Sequence, residues 1–295
     1  MQKRWFITGA SRGLGVDIAR AALEAGDCVV ATGRDPEQVR AALGARHERL
    51  LVVRLDVAVE AEAHTAVEAA VAGFGGIDVL VNNAGYGHLG LFEEATSEDV
   101  RDQFDSNVFG LMHVTRAALP AMRAARRGHI FNVSSVAGVR GTAFCSLYCA
   151  SKFAVEGFSE SLAEEVAPFG IRVTIVEPGP FRTNFLSGSS LRLASAPLPD
   201  YDEMRDRMQA TYAARNGKQG GDPQKLAHAI VELANANDPP LRFLAGTVAL
   251  DAGLRKLERM REEFIAWGGP SRATDGDYAD SHPWQSSISA APARP

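Results

Sequence analysis

Tyr148 and Lys152 stand four residues apart in the stretch Tyr148-Cys149-Ala150-Ser151-Lys152. On a helix both side chains leave the same face, one turn apart. A free phenol ionises near pH ~10, and an ammonium within a few ångströms favours the phenolate and draws that value down. A tyrosine tuned in this way serves as a general acid or base. Tyr and Lys also meet at this spacing on ordinary surface helices, so the pair gains meaning only from the elements that would position it and supply its partners.

Those elements follow a strand-helix rhythm. Residues 5–7 read as a short buried strand, followed by Thr8-Gly9-Ala10-Ser11-Arg12-Gly13-Leu14-Gly15 and a helix with Leu14, Ile18, Ala22 and Leu23 on one face. Gly26 stops it before a second strand at 28–31. Strand, glycine-rich turn and helix form the first unit of a dinucleotide-binding fold: the glycines let the backbone approach a pyrophosphate, and the helix start offers free N–H groups. The spacing is Gly-x-x-x-Gly-x-Gly. After the second strand, where an acid commonly meets the ribose hydroxyls, stand Gly33 and Arg34. Arg34 with Arg12 suits a 2′-phosphate, so NADP is preferred, with NAD possible. Asp35-Pro36-Glu37-Gln38 reads as a helix N-cap with proline at the first position and Gln38 completing a capping box.

A third strand at 50–55 leads to Asp56-Val57, with Asp56 placed for the adenine edge or to cap the helix at about 60–72. A fourth at 77–81 ends in Asn82-Asn83-Ala84-Gly85, small and amide residues where such folds bind ligand; Asn82 also suits a purely structural bond. Residues 86–92 read as a loop, Thr96 opens a helix, and 107–127 is a long helix bent at Pro120. A fifth strand at 129–133 runs into Ser134-Ser135; the helix of the Tyr–Lys pair spans about 148–169. A sixth strand at 171–176 ends in Glu177-Pro178-Gly179-Pro180. Residues 181–216 read as a substrate-covering insertion with a helix near 200–214. A helix at 223–235, a strand at 241–245 and a helix at 248–267 follow, and from Gly268 a weakly ordered tail is expected. The fold class is α/β, a doubly wound parallel sheet of about seven strands in three αβα layers: a single catalytic domain over 1–250, then a C-terminal helix and tail over 251–295.

Composition excludes several function classes. Thirty-one Lys and Arg against 36 Asp and Glu give a net charge of −5, which argues for no nucleic-acid partner. Three cysteines, Cys28, Cys145 and Cys149, fit a reducing cytosol, and neither they nor the scattered histidines show metal spacing, so no metal is expected. Without a signal-like start or an apolar run of ~18 residues, a soluble cytoplasmic protein with no membrane contact is expected.

Over roughly residues 3–250 these motifs, with Asn107, resemble the short-chain dehydrogenase/reductase family, and the Tyr148 block and Glu177-Pro178-Gly179-Pro180 are similar to its hydroxysteroid- and retinol-dehydrogenase group. The resemblance implies an NADP-dependent oxidoreductase that passes hydride between cofactor and a carbonyl or secondary alcohol. It selects Ser135, thirteen residues before Tyr148, to hydrogen-bond the substrate oxygen, and Tyr148 to exchange its proton. Lys152 would hold the nicotinamide ribose and lower the phenol, and Asn107 would anchor a water linking Lys152 to solvent. The cofactor set it implies is Gly9, Ser11, Arg12, Gly13, Leu14, Gly15, Arg34, Asp56, Val57, Asn83, Ala84, Gly85, Tyr148, Lys152, Pro178, Gly179 and Thr183. It also implies a homodimer or homotetramer formed through the two long helices. A different class, a non-catalytic NADP(H) sensor or scaffold, would be expected to have lost Ser135, Tyr148 or Lys152, and all three are present. Tyr86, Leu89, Leu91, Phe92, residues 139–147, Phe181, Phe185 and Leu186 are the expected walls of a pocket for a medium to bulky hydrophobic ketone or alcohol.

Overall fold

The computed structural model describes residues 2–44, 47–186 and 190–276. Its central sheet has seven parallel strands: β1 (Arg4–Ile7), β2 (Cys28–Gly33), β3 (Leu50–Arg54), β4 (Val79–Asn82), β6 (Gly128–Val133), β7 (Ile171–Pro178) and β9 (Arg242–Ala245). They lie in the order β3-β2-β1-β4-β6-β7-β9, so the strand order reverses beside β1, with β4 across the gap. Such a switch point opens a crevice at the carboxyl ends of the strands.

The strands read as continuous apolar runs because both faces are covered. Phe6, Val30, Leu80 and Ile130 pack on one face with α3 (Glu60–Phe74), α5 (Gly110–Ala125) and α7 (Ser146–Val166). Their neighbours Trp5, Ile7, Val29, Val81 and Phe131 point the other way, toward α1 (Leu14–Glu24) and α9 (Pro223–Asn235), as the two-residue period of a strand requires. α2 (Pro36–Leu43) is capped by Asp35, which accepts from Glu37 N at 2.9 Å and Gln38 N at 3.4 Å with Pro36 in the first turn. The return bond from the Gln38 side chain is not made among the described residues.

Several elements differ from the sequence expectation. α4 (Ser97–Phe104) does not stop before a separate helix at 107; it runs through one widened turn, Asp105–Phe109, directly into α5. Part of the expected loop at 86–92 is strand β5 (Gly87–Leu89), which pairs in parallel with β8 (Leu191–Leu193) of the insertion. α6 (Val136–Val139) is a single turn inside the expected loop before α7. In the insertion, α8 (Asp202–Arg215) forms where a helix was expected, whereas residues 187–189 lie outside the described residues.

Residues up to Gly253 form one compact unit and those from Leu254 a second. α10 (Thr247–Arg272) runs past the expected end at 267, through Gly268, Gly269 and Pro270, so residues 268–272 are helix and not tail. In the second unit Leu257, Phe264, Ile265 and Trp267 are exposed, and Arg259–Glu263 and Arg261–Glu258 pair along the helix at 3.0 and 3.3 Å. The expected tail at 277–295 lies outside the described residues. No helix among the described residues is long and apolar enough to cross a membrane.

Candidate active site

The glycine-rich turn is held by the end of β4. Thr8 Oγ1 accepts from Asn83 N and Ala84 N, both at 2.9 Å, and Asn83 Nδ2 donates to Thr8 O at 2.9 Å and Gly9 O at 3.2 Å. This close approach explains two of the glycines. A Cβ on Gly9, whose φ is +67°, would lie 2.9 Å from Ala84 Cα, and one on Gly15 would lie 2.6 Å from Asn83 Nδ2. Gly13 precedes α1 at φ +57° with no side-chain cap; its carbonyl accepts from Val16 N and Asp17 N at 3.1 and 3.3 Å, which leaves the N–H groups of Leu14 and Gly15 to face a ligand. Across from Gly13 stands Thr183, its Cβ 3.7 Å from where a Gly13 Cβ would sit. Thr183 follows Pro178 at the end of β7 and Gly179, whose N–H donates to Ala245 O at 3.0 Å. A cradle shaped by absent Cβ atoms and fronted by an uncapped helix suits a nicotinamide dinucleotide.

The adenosine end has a marked charge. Arg34 is exposed at the tip of β2, and Gly33 before it is packed tightly on Val39 and lies near Ser11. The Arg12 guanidinium is pushed down, first by burial and then by the positive charge of Arg34, and its Nε donates to Ser190 Oγ at 2.8 Å. Asp56 does not cap α3, whose N-cap is Val59; it accepts from Ala58 N at 3.1 Å and so shapes the turn after β3. Val57 is buried against Gly110, behind that turn. Asn82 is structural, donating to Thr115 Oγ1 and Asn132 Oδ1 at 2.9 Å each.

Ser135, Tyr148 and Lys152 come together beyond the end of β6. Ser135 is the N-cap of α6, accepting from Ala137 N at 3.1 Å, and its hydroxyl stands near enough to the Tyr148 phenol to draw it downward. Tyr148 lies in the first turn of α7. Lys152, buried on the same helix, donates from Nζ to Val133 O at 2.8 Å and stands 5.8 Å from the Tyr148 ring centre. The direction of the phenol differs from the sequence expectation: burial raises it well above its ordinary value, opposed by the Ser135 hydroxyl. Lys152 is itself pushed down to about 8 by burial, against the pull of Glu156. Desolvation therefore outweighs the Ser135 hydroxyl at Tyr148 and the Glu156 charge at Lys152.

Asn107 occupies the widened turn between α4 and α5 and is buried. Its Nδ2 donates to Tyr86 O at 3.0 Å and Ser151 Oγ at 3.2 Å, and its Oδ1 accepts from Tyr86 N at 3.0 Å. Ser151 Oγ in turn donates to Tyr148 O at 2.8 Å, so the side chain of Asn107 reaches α7 through Ser151, the residue before Lys152. A Cβ on Gly85 would meet Asn107 Oδ1 at 2.9 Å, which fixes that position as glycine.

Beside Tyr148 the walls are apolar. The Phe185 ring centre lies 5.6 Å from that of Tyr148, and Leu89, Phe144, Cys145 and Cys149 form a buried cluster with Leu91 and Leu191. Phe144 holds a φ of +69° immediately before the helix, and its carbonyl accepts from Gly90 N at 2.9 Å. Two expected wall residues point elsewhere. Phe92 is 67% exposed, and Phe181 packs on Gly221 and Gly246. In their place Met208 and Tyr212 of α8 close the cluster, with Tyr212 Oη 3.0 Å from Cys145 Sγ. Their i,i+4 spacing on an otherwise polar helix was the sequence signal for them. Burial raises the Cys145 thiol to about 11, so it is an inert packing group. No cluster of metal-ligating side chains occurs among the described residues.

The family profile described as short chain dehydrogenase matches residues 3–192. A crystal structure of a short-chain dehydrogenase from Streptomyces avermitilis superposes with a TM-score of 0.84 at 39% identity, covering 94% of this chain and 99% of that one. A 3-ketodihydrosphingosine reductase of Bacteroides thetaiotaomicron is 40% identical over 81% of this chain and 86% of its own length. Retinol dehydrogenase 8 of Homo sapiens is 37% identical over 80% of this chain and 79% of its own length.

Proposed function

The chain belongs to the short-chain dehydrogenases and is an oxidoreductase, and we propose that it interconverts a medium to bulky hydrophobic ketone and its secondary alcohol with NADP(H). The observation that carries this is the convergence of the Ser135 hydroxyl, the Tyr148 phenol and the Lys152 ammonium beside an apolar cluster and a glycine cradle.

In this reading the bound nicotinamide supplies or accepts the hydride. The uncapped start of α1 and the turn Gly9 to Gly15 hold the pyrophosphate, and Arg12 and Arg34 hold the 2′-phosphate. Ser11, Asp56, Val57, Asn83, Ala84 and Gly85 line the adenosine side and the strand ends, and Pro178, Gly179 and Thr183 hold the carboxamide end. Ser135 donates to the substrate oxygen and orients it. Tyr148 gives that oxygen a proton during reduction and removes it during oxidation, and Lys152 holds the nicotinamide ribose and favours the ionised phenol once the site is charged. Asn107, tied to Ser151, keeps the first turn of α7 in register and anchors the water that links Lys152 to solvent.

The Arg12 and Arg34 pair supports NADP(H) over NAD(H), because two cations brought together favour a dianion between them. Leu89, Phe144, Phe185 and Met208 support a hydrophobic substrate, in keeping with relatives named for a 3-keto compound and for retinol. The exposed Phe109 and Phe153, at the start of α5 and on α7, support self-association through those helices as a dimer or tetramer. A cytoplasmic location without nucleic-acid partners belongs to the same proposal. The direct test is NADPH consumption with a bulky alicyclic ketone and with a small polar one. Turnover of the first well above the second is expected, and the reverse order would overturn the substrate class.

A further inference from the structure

Behind the site lies a buried ionic group that the reaction as described does not use. Glu156 follows Lys152 by one turn on α7, and Glu177 is the penultimate residue of β7, before Pro178 and Gly179. Both are buried, Glu177 completely. Arg242 of β9 bridges them, bonding Glu156, Glu177 at 2.7 Å, and Glu160 at the solvent edge. Glu156 also presses on the turn that carries Ser135: a Cβ on Gly138 would lie 2.7 Å from Glu156 Oε1 and 2.5 Å from Ser134 Oγ.

Three carboxylates thus share one guanidinium. Ser134 Oγ lacks a hydrogen-bond partner among the described residues, and a proton kept on Glu177 would join its carboxyl to that of Glu156. We propose that Glu156 is a positioning residue for Lys152, its buried charge keeping the lysine an ammonium in the working pH range. The inference rests on the reading of Lys152 as the ribose-holding group of the active site.

The charges that face each member come from three elements. On α7, Tyr148, Glu156 and Glu160 flank Lys152 or Arg242; β7 contributes Glu177 and β9 contributes Arg242. Glu177 is raised well above the carboxylate range, first by burial and then by the charge of Glu156, with Arg242 opposing. Glu177 therefore holds its proton more readily than an ordinary carboxyl. Glu156 is the charge that pulls Lys152 upward, against the desolvation that lowers it to about 8. Opposite charges at ~4–6 Å move a pKa by about 1–3 units; the Cβ atoms of residues at i and i+4 are ~5–6 Å apart, and Glu156 is shared with Arg242, so the lower end of that range applies. Removing the Glu156 charge should therefore lower Lys152 by about one unit. At pH ~8 the protonated fraction then falls from about one half to about one tenth, roughly fivefold.

The chain holds five lysines, so the Cε signal of Lys152 is separable in full-length protein labelled with 13C-lysine and is assigned by its loss in Lys152→Arg. In the cofactor-free protein, Glu156→Gln is expected to lower the Lys152 midpoint by about one unit, whereas Glu160→Gln, which also loosens Arg242, leaves it in place. Turnover should follow, about fivefold lower in Glu156→Gln at pH ~8 and recovered near pH ~6. An unmoved midpoint in Glu156→Gln, or an equal shift in Glu160→Gln, overturns the proposal. If Glu156→Gln does not fold, Glu156→Asp serves: withdrawing the charge by one methylene should lower the midpoint by a smaller amount, and no change overturns the proposal. Lys152→Arg separates the two readings, because its side chain does not titrate in this range. If the midpoint moves in Glu156→Gln but Lys152→Arg leaves the pH–rate profile unaltered, the electrostatic link stands and the assignment of Lys152 to the reaction fails.

Discussion

Replacing Arg34 by Ala tests cofactor choice at a side chain that is exposed and not part of the core. Its guanidinium lies close enough to lower that of Arg12, so the two would close on one phosphate from two sides. A hydrogen bond to a charged group contributes about 1.5–3 kcal/mol, and solvent exposure favours the lower end. A loss of about 1.5–2 kcal/mol corresponds to a roughly 10- to 30-fold rise in the Kd for NADPH. NADH carries no 2′-phosphate, so its Kd should change by less than about twofold. The assay is fluorescence titration of both cofactors with wild type and Arg34→Ala at two salt concentrations; the NADPH penalty should shrink at the higher salt, since exposed charges are screened. Equal weakening of NADPH and NADH, or no weakening of either, would refute the assignment of Arg34 to the phosphate.

Other expectations concern stability and the pocket wall. The folded-state pKa of Lys152 lies near 8, below its unfolded value of 10.5, so between those values the unfolded chain binds more protons and the lysine's contribution to stability rises with pH. Below about 8 its destabilising burial is fully present; Lys152→Met should therefore raise Tm at pH ~7, with the gain fading by pH ~10, as thermal melts across pH would record, while turnover is lost. Met208→Ala shortens a side chain that packs on the apolar cluster of Leu89, Phe144, Cys145 and Cys149. It should raise KM for a bulky ketone about fivefold, from about 1 kcal/mol of lost burial, with the Kd for NADPH unchanged.

The glycine turn, the strand ends and the Tyr148–Lys152 spacing were legible in the sequence because each depends on local geometry that few residues satisfy. Gly9 needs a positive φ, Gly15 has no room for a Cβ, and the asparagines after β4 hold the turn through their amides. The widened turn at Asp105–Phe109 was not legible, since one extra residue in a turn leaves the apolar stripe on either side intact. Nor was the pairing of β5 with β8: three-residue strands carry too little periodicity, and their register comes from partners a hundred residues apart. The sequence marked a helix near 200–214, and the i,i+4 spacing of Met208 and Tyr212 hinted at a shared face, but only tertiary packing shows that it meets Phe144 and Cys145. The direction of the Tyr148 phenol was misjudged for a related reason: spacing reveals the neighbouring charge, whereas burial, the larger effect here, comes from the whole fold. Glu177 read as a strand end, with no local sign that Arg242, 65 residues on, would bind it.

The central claim is that Tyr148 transfers the proton. Tyr148→Phe keeps the ring, its contact with Phe185 and the helix, and removes only the hydroxyl. Steady-state turnover of a ketone by this variant, measured with the NADPH Kd in the same preparation, addresses the claim most directly. Loss of general acid catalysis should lower kcat by about 100- to 10,000-fold with the Kd unchanged. Turnover within about tenfold of wild type, with NADPH still bound, would contradict the account.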